Sequence, residues 1–308
     1  MDFISPESAT ILASRDRLLQ EALRPAGPLF PVAAEYPIVL ARDAASLSHC
    51  LVLDHQVVAH ANLWPRHLED PVGCRSFAVG LVGNVATAPT HRGQGLSRRM
   101  FVHLEAEARA AGLVALILWS DLLEFYQNLG FASAGREMRH YFDSAALTSI
   151  TSPLNFSFAN GHALDDSTLE LLLALRHGVP ATLARSTNEF RRMLAIPATH
   201  LVLGFRGPAL MCYGIVGKGY DMCGVVHEWG AAGPMDLLAL AKAATAALKL
   251  PDIVVLAPGN LGKTWCAVLR RYAHDIQTVP MALVKVLYES PALTETLART
   301  FVWGLDSI

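Results

Sequence analysis

The sequence predicts an α/β protein made of two similar halves, each a mixed, twisted sheet flanked by helices. Three observations carry that prediction. Short apolar runs of strand character alternate with segments of helical period. An order of helices, strands, long helix, strand and short helix occurs twice along the chain, without a sequence repeat to accompany it. Finally, 52% of the 308 residues are hydrophobic and 17% are charged, which supplies a sizeable core and excludes a disordered chain.

The first expected helix covers 9–24, with Ile11, Leu12, Leu18 and Leu19 apolar and Pro25, Gly27 and Pro28 stopping it. Strand-like runs follow at 38–41, 50–53, 57–63 and 77–87, with Asp54-His55-Gln56 as a hairpin connection. A helix over 96–111 sets Met100, Phe101, Leu104 and Ala108 on one face and stops at Gly112. The unbroken apolar run 113–120 reads as a fully buried strand. A short helix over 122–129 ends at Gly130. Periodicity fades over 148–160, which divides the chain into 1–148 and 149–308. The second half promises helices at 166–175 and 187–194 and strands at 200–204, 209–216 and 223–229. A long Ala/Leu helix at 235–248, a strand at 252–257, a helix at 262–273 and a β-rich tail complete it.

Several partner classes are excluded. A formal net charge of −2 argues against a basic surface that tracks nucleic acid. No apolar run approaches the roughly 18 residues of a membrane span. Asp2 and Glu7 stand where a secretory leader carries positive charge. The cysteines Cys50, Cys74, Cys212, Cys223 and Cys266 are odd in number and widely spaced, which points to reduced, mostly buried thiols of a cytoplasmic protein. Neither a disulfide frame nor a metal site is expected.

The informative stretch is 83–135. A strand leads through Thr87-Ala88-Pro89-Thr90-His91 into Arg92-Gly93-Gln94-Gly95-Leu96-Ser97 and then a helix. Gly93 and Gly95 allow close approach of backbone to a ligand. The helix start offers unpaired N–H groups and the positive end of its dipole. Together they make a cradle for a phosphate or pyrophosphate, and Arg92, Arg98 and Arg99 add local positive charge. A glycine turn that merely enters a helix is the bland alternative. The strand before it, the helix after it and Phe125-Tyr126-Gln127-Asn128-Leu129-Gly130-Phe131 downstream favour the cradle.

With those residues in place, the run Val85–Ser97 followed by 125–131 resembles the acetyl-CoA signature of the GCN5-related N-acetyltransferases. Arg92, Gly95 and Ser97 take the fixed positions of the family's Arg/Gln-x-x-Gly-x-Gly/Ala loop, with Ser97 replacing the usual Gly/Ala. The resemblance spans about 35–142; residues 155–308 share only the order of elements and read as a degenerate half.

The resemblance implies a direct N-acetyl transfer from acetyl-CoA to a primary amine on a small molecule or peptide. It implies that backbone N–H groups of Arg92, Gly93, Gln94, Gly95, Leu96 and Ser97 hold the pyrophosphate. Backbone of Val85, Ala86 and Thr87 would pair with the pantetheine arm, and the Val85 N–H would polarise the thioester carbonyl. Tyr126 would protonate the departing thiolate. No residue stands out as general base: Asp121, Glu124, His60 and His91 are all near, and water or a neutral amine serves as well. The alternative is a non-catalytic acyl-CoA-binding or regulatory module, which keeps the loop and does not need Tyr126.

Two further segments invite attention. Gly259-Asn260-Leu261-Gly262-Lys263-Thr264 imitates a nucleotide loop, but Ala257 replaces its first glycine and Pro258 lacks an N–H. In the second half, Trp229-Gly230-Ala231-Ala232-Gly233-Pro234-Met235-Asp236 occupies the phosphate-loop position without an arginine, so that half is expected not to hold CoA. His227 and Glu228, with Tyr213 and Asp221 nearby in sequence, are candidates to line a pocket for a cationic amine.

Overall fold

The computed structural model describes residues 2–27, 29–176 and 181–308. Its first half contains β1 (Asp2–Ile4), β2 (Ser48–Leu53), β3 (Gln56–Asp70), β4 (Arg75–Thr87), β5 (Ala115–Leu118) and β6 (Ala132–Asp143). The second contains β7 (Asn155–Ala159), β8 (Thr182–Leu183), β9 (His200–Arg206), β10 (Ala209–Val216), β11 (Val225–Ala231), β12 (Asp252–Pro258) and β13 (Asp275–Val286). All join one 13-stranded mixed sheet in the order β1-β2-β3-β4-β5-β13-β6-β12-β11-β10-β9-β7, with β8 paired to β3.

The α/β class is as expected, but the halves exchange strands. β13 lies between β5 and β6, matching Leu283 to Leu118 and to Ser133. β6 in turn lies between β13 and β12, matching Val255 to His140. Each half therefore completes its sheet with a strand of the other. The exchange reaches the core: Leu283 and Leu287 pack in one cluster with Phe101, Leu104, Tyr126 and Phe131. A larger cluster on the other face joins the helix Ala9–Leu23 to both halves.

The helices at Ala9–Leu23, Leu96–Ala110, Asp166–Leu175, Thr187–Leu194 and Pro234–Leu248 stand where their periodicity places them. Other expectations fail, and one interior strand was not foreseen. Residues 38–41 are a turn after the short helix Val32–Glu35, not a strand. Ile38, Val39 and Leu40 are buried there, and a fully apolar run carries no period to separate turn from strand. β6 gave no strand signal, because Arg136, Glu137, Arg139 and His140 interrupt any apolar alternation. The tail holds β13, but then a helix, Pro291–Arg299, started by the Ser290 side chain, and an irregular segment to Ile308. All five cysteines are free; only Cys50 and Cys212 are buried, while Cys74 and Cys223 are exposed, so the thiols are not mostly buried.

Candidate active site

The site begins where two strands part. β4 pairs with β5 only over Val79–Leu81, opposite Ala115–Ile117, yet it runs on to Thr87. Beyond Leu81 its edge is open toward the gap. Opposite β3 the register shifts between His60–Ala86 and Asn62–Gly83, so β4 carries one extra residue. Asn84 sits in that bulge with φ +48°. Buried polar side chains lock it: Asn84 Nδ2 donates to Asn62 Oδ1 at 3.0 Å, and His60 Nδ1 donates to the Asn84 carbonyl at 2.8 Å. Asn62 Nδ2 is held by the Leu47 and Val39 carbonyls at 2.9 and 3.1 Å. The bulge re-aims the backbone at Val85 toward the gap.

A single helical turn, Pro89–His91, leads from β4 into the loop. Gly93 and Gly95 have φ of +74° and +73°, the left-handed region that glycine occupies without strain. A Cβ at either would meet nothing within 4 Å, so the loop borders open space. Gly95 caps the helix Leu96–Ala110 without any side-chain hydrogen bond. Among the described residues no backbone carbonyl takes the N–H groups of Gly93, Gln94 or Gly95. The first N–H groups of the helix are likewise unspent. The loop is braced from behind. Arg92 Nε reaches the Thr87 carbonyl at 3.4 Å, Gln94 Nε2 the Thr90 carbonyl at 3.4 Å, and the Thr87 and Ser97 hydroxyls lie 3.2 Å apart.

Loop, bulge and Tyr126 enclose one cavity of about 690 Å³. Its wall includes Val85, Ala86, Thr87, Arg92, Gly93, Gly95, Leu96 and Ser97; Gln94 turns its side chain back to Thr90 instead. Tyr126, on the short helix Leu123–Gln127, is 6% exposed and packs edge-on against Phe101, Phe125 and Phe131. Burial pushes its phenol pKa upward, while a hydrogen bond with Ser120 pulls the other way. The group at the cavity wall is thus a protonated phenol, able to give a proton.

The other expected residues fall elsewhere. His60 is fully buried, and burial lowers its pKa to about 3 despite the Asn84 bond. Asp121 and Glu124 are exposed, and His91 pairs with the Thr90 hydroxyl at 2.9 Å. His227 and Glu228 require a correction: both are fully buried and held by partners inside the protein rather than offered to a cationic amine. Glu228 is gripped by both Arg185 amino groups, at 2.9 and 3.0 Å, and by the Tyr213 hydroxyl at 3.1 Å. His227 Nε2 donates to the Gly217 carbonyl at 2.9 Å. Asp221 lies at the surface on Arg24 and Tyr36. In the imitation nucleotide loop Lys263 is exposed, and the Gly259 N–H is spent on the Arg136 carbonyl at 2.8 Å.

Sequence reasoning missed the segment 303–308. It crosses to the first half, where a Cβ on Gly83 would lie 2.1 Å from the Ile308 carbonyl oxygen. No local pattern announces this, because the contact joins residues 225 positions apart; the available signal was a glycine inside a strand, which marks close backbone approach. A second cavity of about 600 Å³, between β6, β13 and the helix Pro291–Arg299, contains neither the loop nor a tyrosine. Among the described residues no group of three or more His, Cys, Asp or Glu could hold a metal ion. No helix among them is long and apolar enough to cross a membrane.

Comparison with known proteins points the same way. A family model described as an acetyltransferase (GNAT) domain matches residues 34–134. A protein of Azospirillum brasilense named IAA acetyltransferase is 30% identical over 133 residues, which is 39% of this chain and 77% of that protein. A GCN5-related N-acetyltransferase from Kribbella flavida superposes with a TM-score of 0.66 at 16% identity, covering 92% of this chain and 70% of the other. A tandem GNAT protein from the clavulanic acid biosynthesis pathway superposes with a TM-score of 0.53 at 11% identity, covering 94% and 99%. At such identities the two solved structures are evidence of fold alone.

Proposed function

This chain belongs to the GNAT family of acetyltransferases and is an acyl-CoA-dependent acyltransferase; we propose that it moves an acetyl group from acetyl-CoA to a primary amine by direct attack, with Tyr126 as general acid. One observation carries the reading. The unspent N–H groups of the Gly93-Gln94-Gly95 turn, the open edge of β4 and the Tyr126 phenol border a single cavity.

Each wall has a task under this reading. The loop amides of Gly93, Gln94, Gly95, Leu96 and Ser97 bind the pyrophosphate, whereas the Arg92 N–H is spent on the Pro89 carbonyl at 3.4 Å; the open space at Gly93 and Gly95 fits that group. Val85, Ala86 and Thr87 offer backbone to the pantetheine as an added strand would. The Val85 N–H stabilises the charge that develops on the thioester oxygen as the amine adds. When the C–S bond breaks, Tyr126 passes its proton to the sulfur, so the leaving group departs as a thiol. The amine enters neutral and loses its extra proton to water, so no side chain is assigned as base. The acceptor is a small molecule or a peptide N-terminus. The division into 1–148 and 149–308 belongs to the same proposal, with only the first half holding CoA. The free cysteines support a cytoplasmic setting.

The test is acetyl transfer to a panel of amino acids, aminoglycosides, arylalkylamines and peptides. Tyr126→Phe is expected to lower kcat by about 10²- to 10⁴-fold while leaving the acetyl-CoA Kd unchanged. Full turnover in Tyr126→Phe removes the general-acid role. Tight acetyl-CoA binding by the wild type, without transfer to any amine, would favour the non-catalytic binding module.

A further inference from the structure

The protein keeps in its interior an unusual set of charges drawn from both halves. Arg66, Arg185 and Lys218 are buried, and Arg176 stands beside them. The anions that the body of the protein offers to the arginines are Glu228, held by Arg185, and Glu189, paired with Arg66. Asp306, fully buried, adds the third. Its Oδ2 lies 2.6 Å from Arg185 Nη2 and 3.8 Å from Arg176, and its Oδ1 lies 3.6 Å from Arg66. The three guanidinium groups of Arg66, Arg176 and Arg185 thus face two carboxylates until the segment 303–308 docks and brings Asp306.

Lys218 completes the clamp. Its ammonium donates to the carbonyls of Gly304 at 2.8 Å and Leu305 at 3.3 Å, to the Ser307 hydroxyl at 3.0 Å, and to the Ser307 carbonyl. The residue just beyond that grip is Ile308, whose backbone sits on Gly83, directly before the Asn84 bulge that aims Val85 into the site. Only glycine at 83 admits this contact. Burial lowers the Lys218 pKa to about 8, with the largest opposing influence from Asp306 and a further one from Asp221.

We propose that Lys218 and Arg185 are positioning residues for acyl transfer: they clamp residues 303–308 so that Ile308 seats against Gly83 and walls the acceptor side of the β4 bulge. The second half then serves the reaction without touching the CoA thioester. This proposal rests on the acyltransferase reading above, and its tests separate the two.

Lys218→Met is expected to raise the KM of the best amine from the panel at least about tenfold, with the acetyl-CoA Kd within about twofold of wild type. Acetyl-CoA hydrolysis without an amine should rise, because water reaches the thioester carbon and releases acetate and the CoA thiol. Lys218→Arg should restore most of the amine KM. Gly83→Ala, which displaces Ile308 while leaving the clamp intact, should reproduce the Lys218→Met kinetics. Amide hydrogen exchange gives a readout independent of any acceptor. Protection of 303–308 should fall in Lys218→Met while the helix Leu96–Ala110 stays protected. Wild-type protection of 303–308 in Lys218→Met overturns the clamp, and so does a loss of acetyl-CoA affinity that parallels the loss in amine KM. A wild type that binds no acetyl-CoA overturns the acyltransferase reading instead, and the exchange result still judges the clamp.

Discussion

The two halves part their strands in the same manner and fill the gap with different things. In the first half β4 and β5 separate beyond Leu81, and the space between them is the 690 Å³ cavity. In the second half β11 and β12 pair only at Val225–Val254 and Val226–Val255 before they separate. There Trp229 closes the gap: its indole N–H donates to the Leu256 carbonyl at 2.7 Å, and its ring stacks on Trp265 at 5.3 Å and meets Trp303 edge-on at 5.6 Å. The helix starts differ as well. The first begins after a left-handed glycine with no side-chain cap, while the second has Pro234 in its first turn and Asp236 beside it. A fold that opens a gap therefore does not by itself make a site. Free amides beside an empty gap make one, and in the second half Trp229 fills the gap.

The sharpest way to break this comparison is to place the same side chain at the start of each helix. Gly95→Glu sets a carboxylate and a strained left-handed backbone where pyrophosphate would sit, and is expected to weaken acetyl-CoA binding at least about 1,000-fold, or ~4 kcal/mol. Gly233→Glu is expected to change that affinity less than about twofold, because Gly233 has ordinary extended backbone with φ −155° and open space around it. Isothermal calorimetry with acetyl-CoA reads both. Equal losses at the two positions would mean that the halves share the ligand.

A smaller effect is expected from opening the plug. Trp229→Ala removes a ring that is 5% exposed and should cost about 3–5 kcal/mol of stability in urea unfolding. Calorimetry should still give one acetyl-CoA per chain, since Pro234 and Asp236 remain. A second equivalent bound by Trp229→Ala would show that the tryptophan alone silences that half.

How much of this was legible follows from the range of the interactions. The helices Leu96–Ala110 and Thr187–Leu194 carry their own signals, an apolar face in one and a Ser186–Glu189 capping box in the other, and the sequence places both. The loop was legible because its shape depends on local backbone, which Gly93 and Gly95 announce. β6 was not legible, since an interior strand whose flanks come from residues 252–258 and 275–286 needs no apolar alternation of its own. The misplacement of His227 and Glu228 has the same cause. Polar residues in a strand look like site residues until Arg185 and the Gly217 carbonyl are known to consume them.

The smallest expected effect compares two buried histidines, one from each half. His60 and His227 each donate one ring N–H to a backbone carbonyl, and the second nitrogen of each meets no partner. A proton added there would lie in a dry interior without an acceptor, so burial lowers both pKa values from 6.5 to about 3. Below pH 6.5 the unfolded chain takes up these protons and the folded chain does not. Stability is therefore complete above that pH and falls as the medium is acidified, by about 1.4 kcal/mol per pH unit for each histidine. Between pH 7 and pH 5 each contributes a loss of about 2 kcal/mol. Urea unfolding at the two pH values checks this in His60→Gln and His227→Gln, each of which should lose about 2 kcal/mol less than the wild type on acidification. An undiminished loss in His60→Gln alone would mean that water enters the bulge of the open half and solvates the imidazolium. The two gaps would then differ in their wetness as well as in their contents.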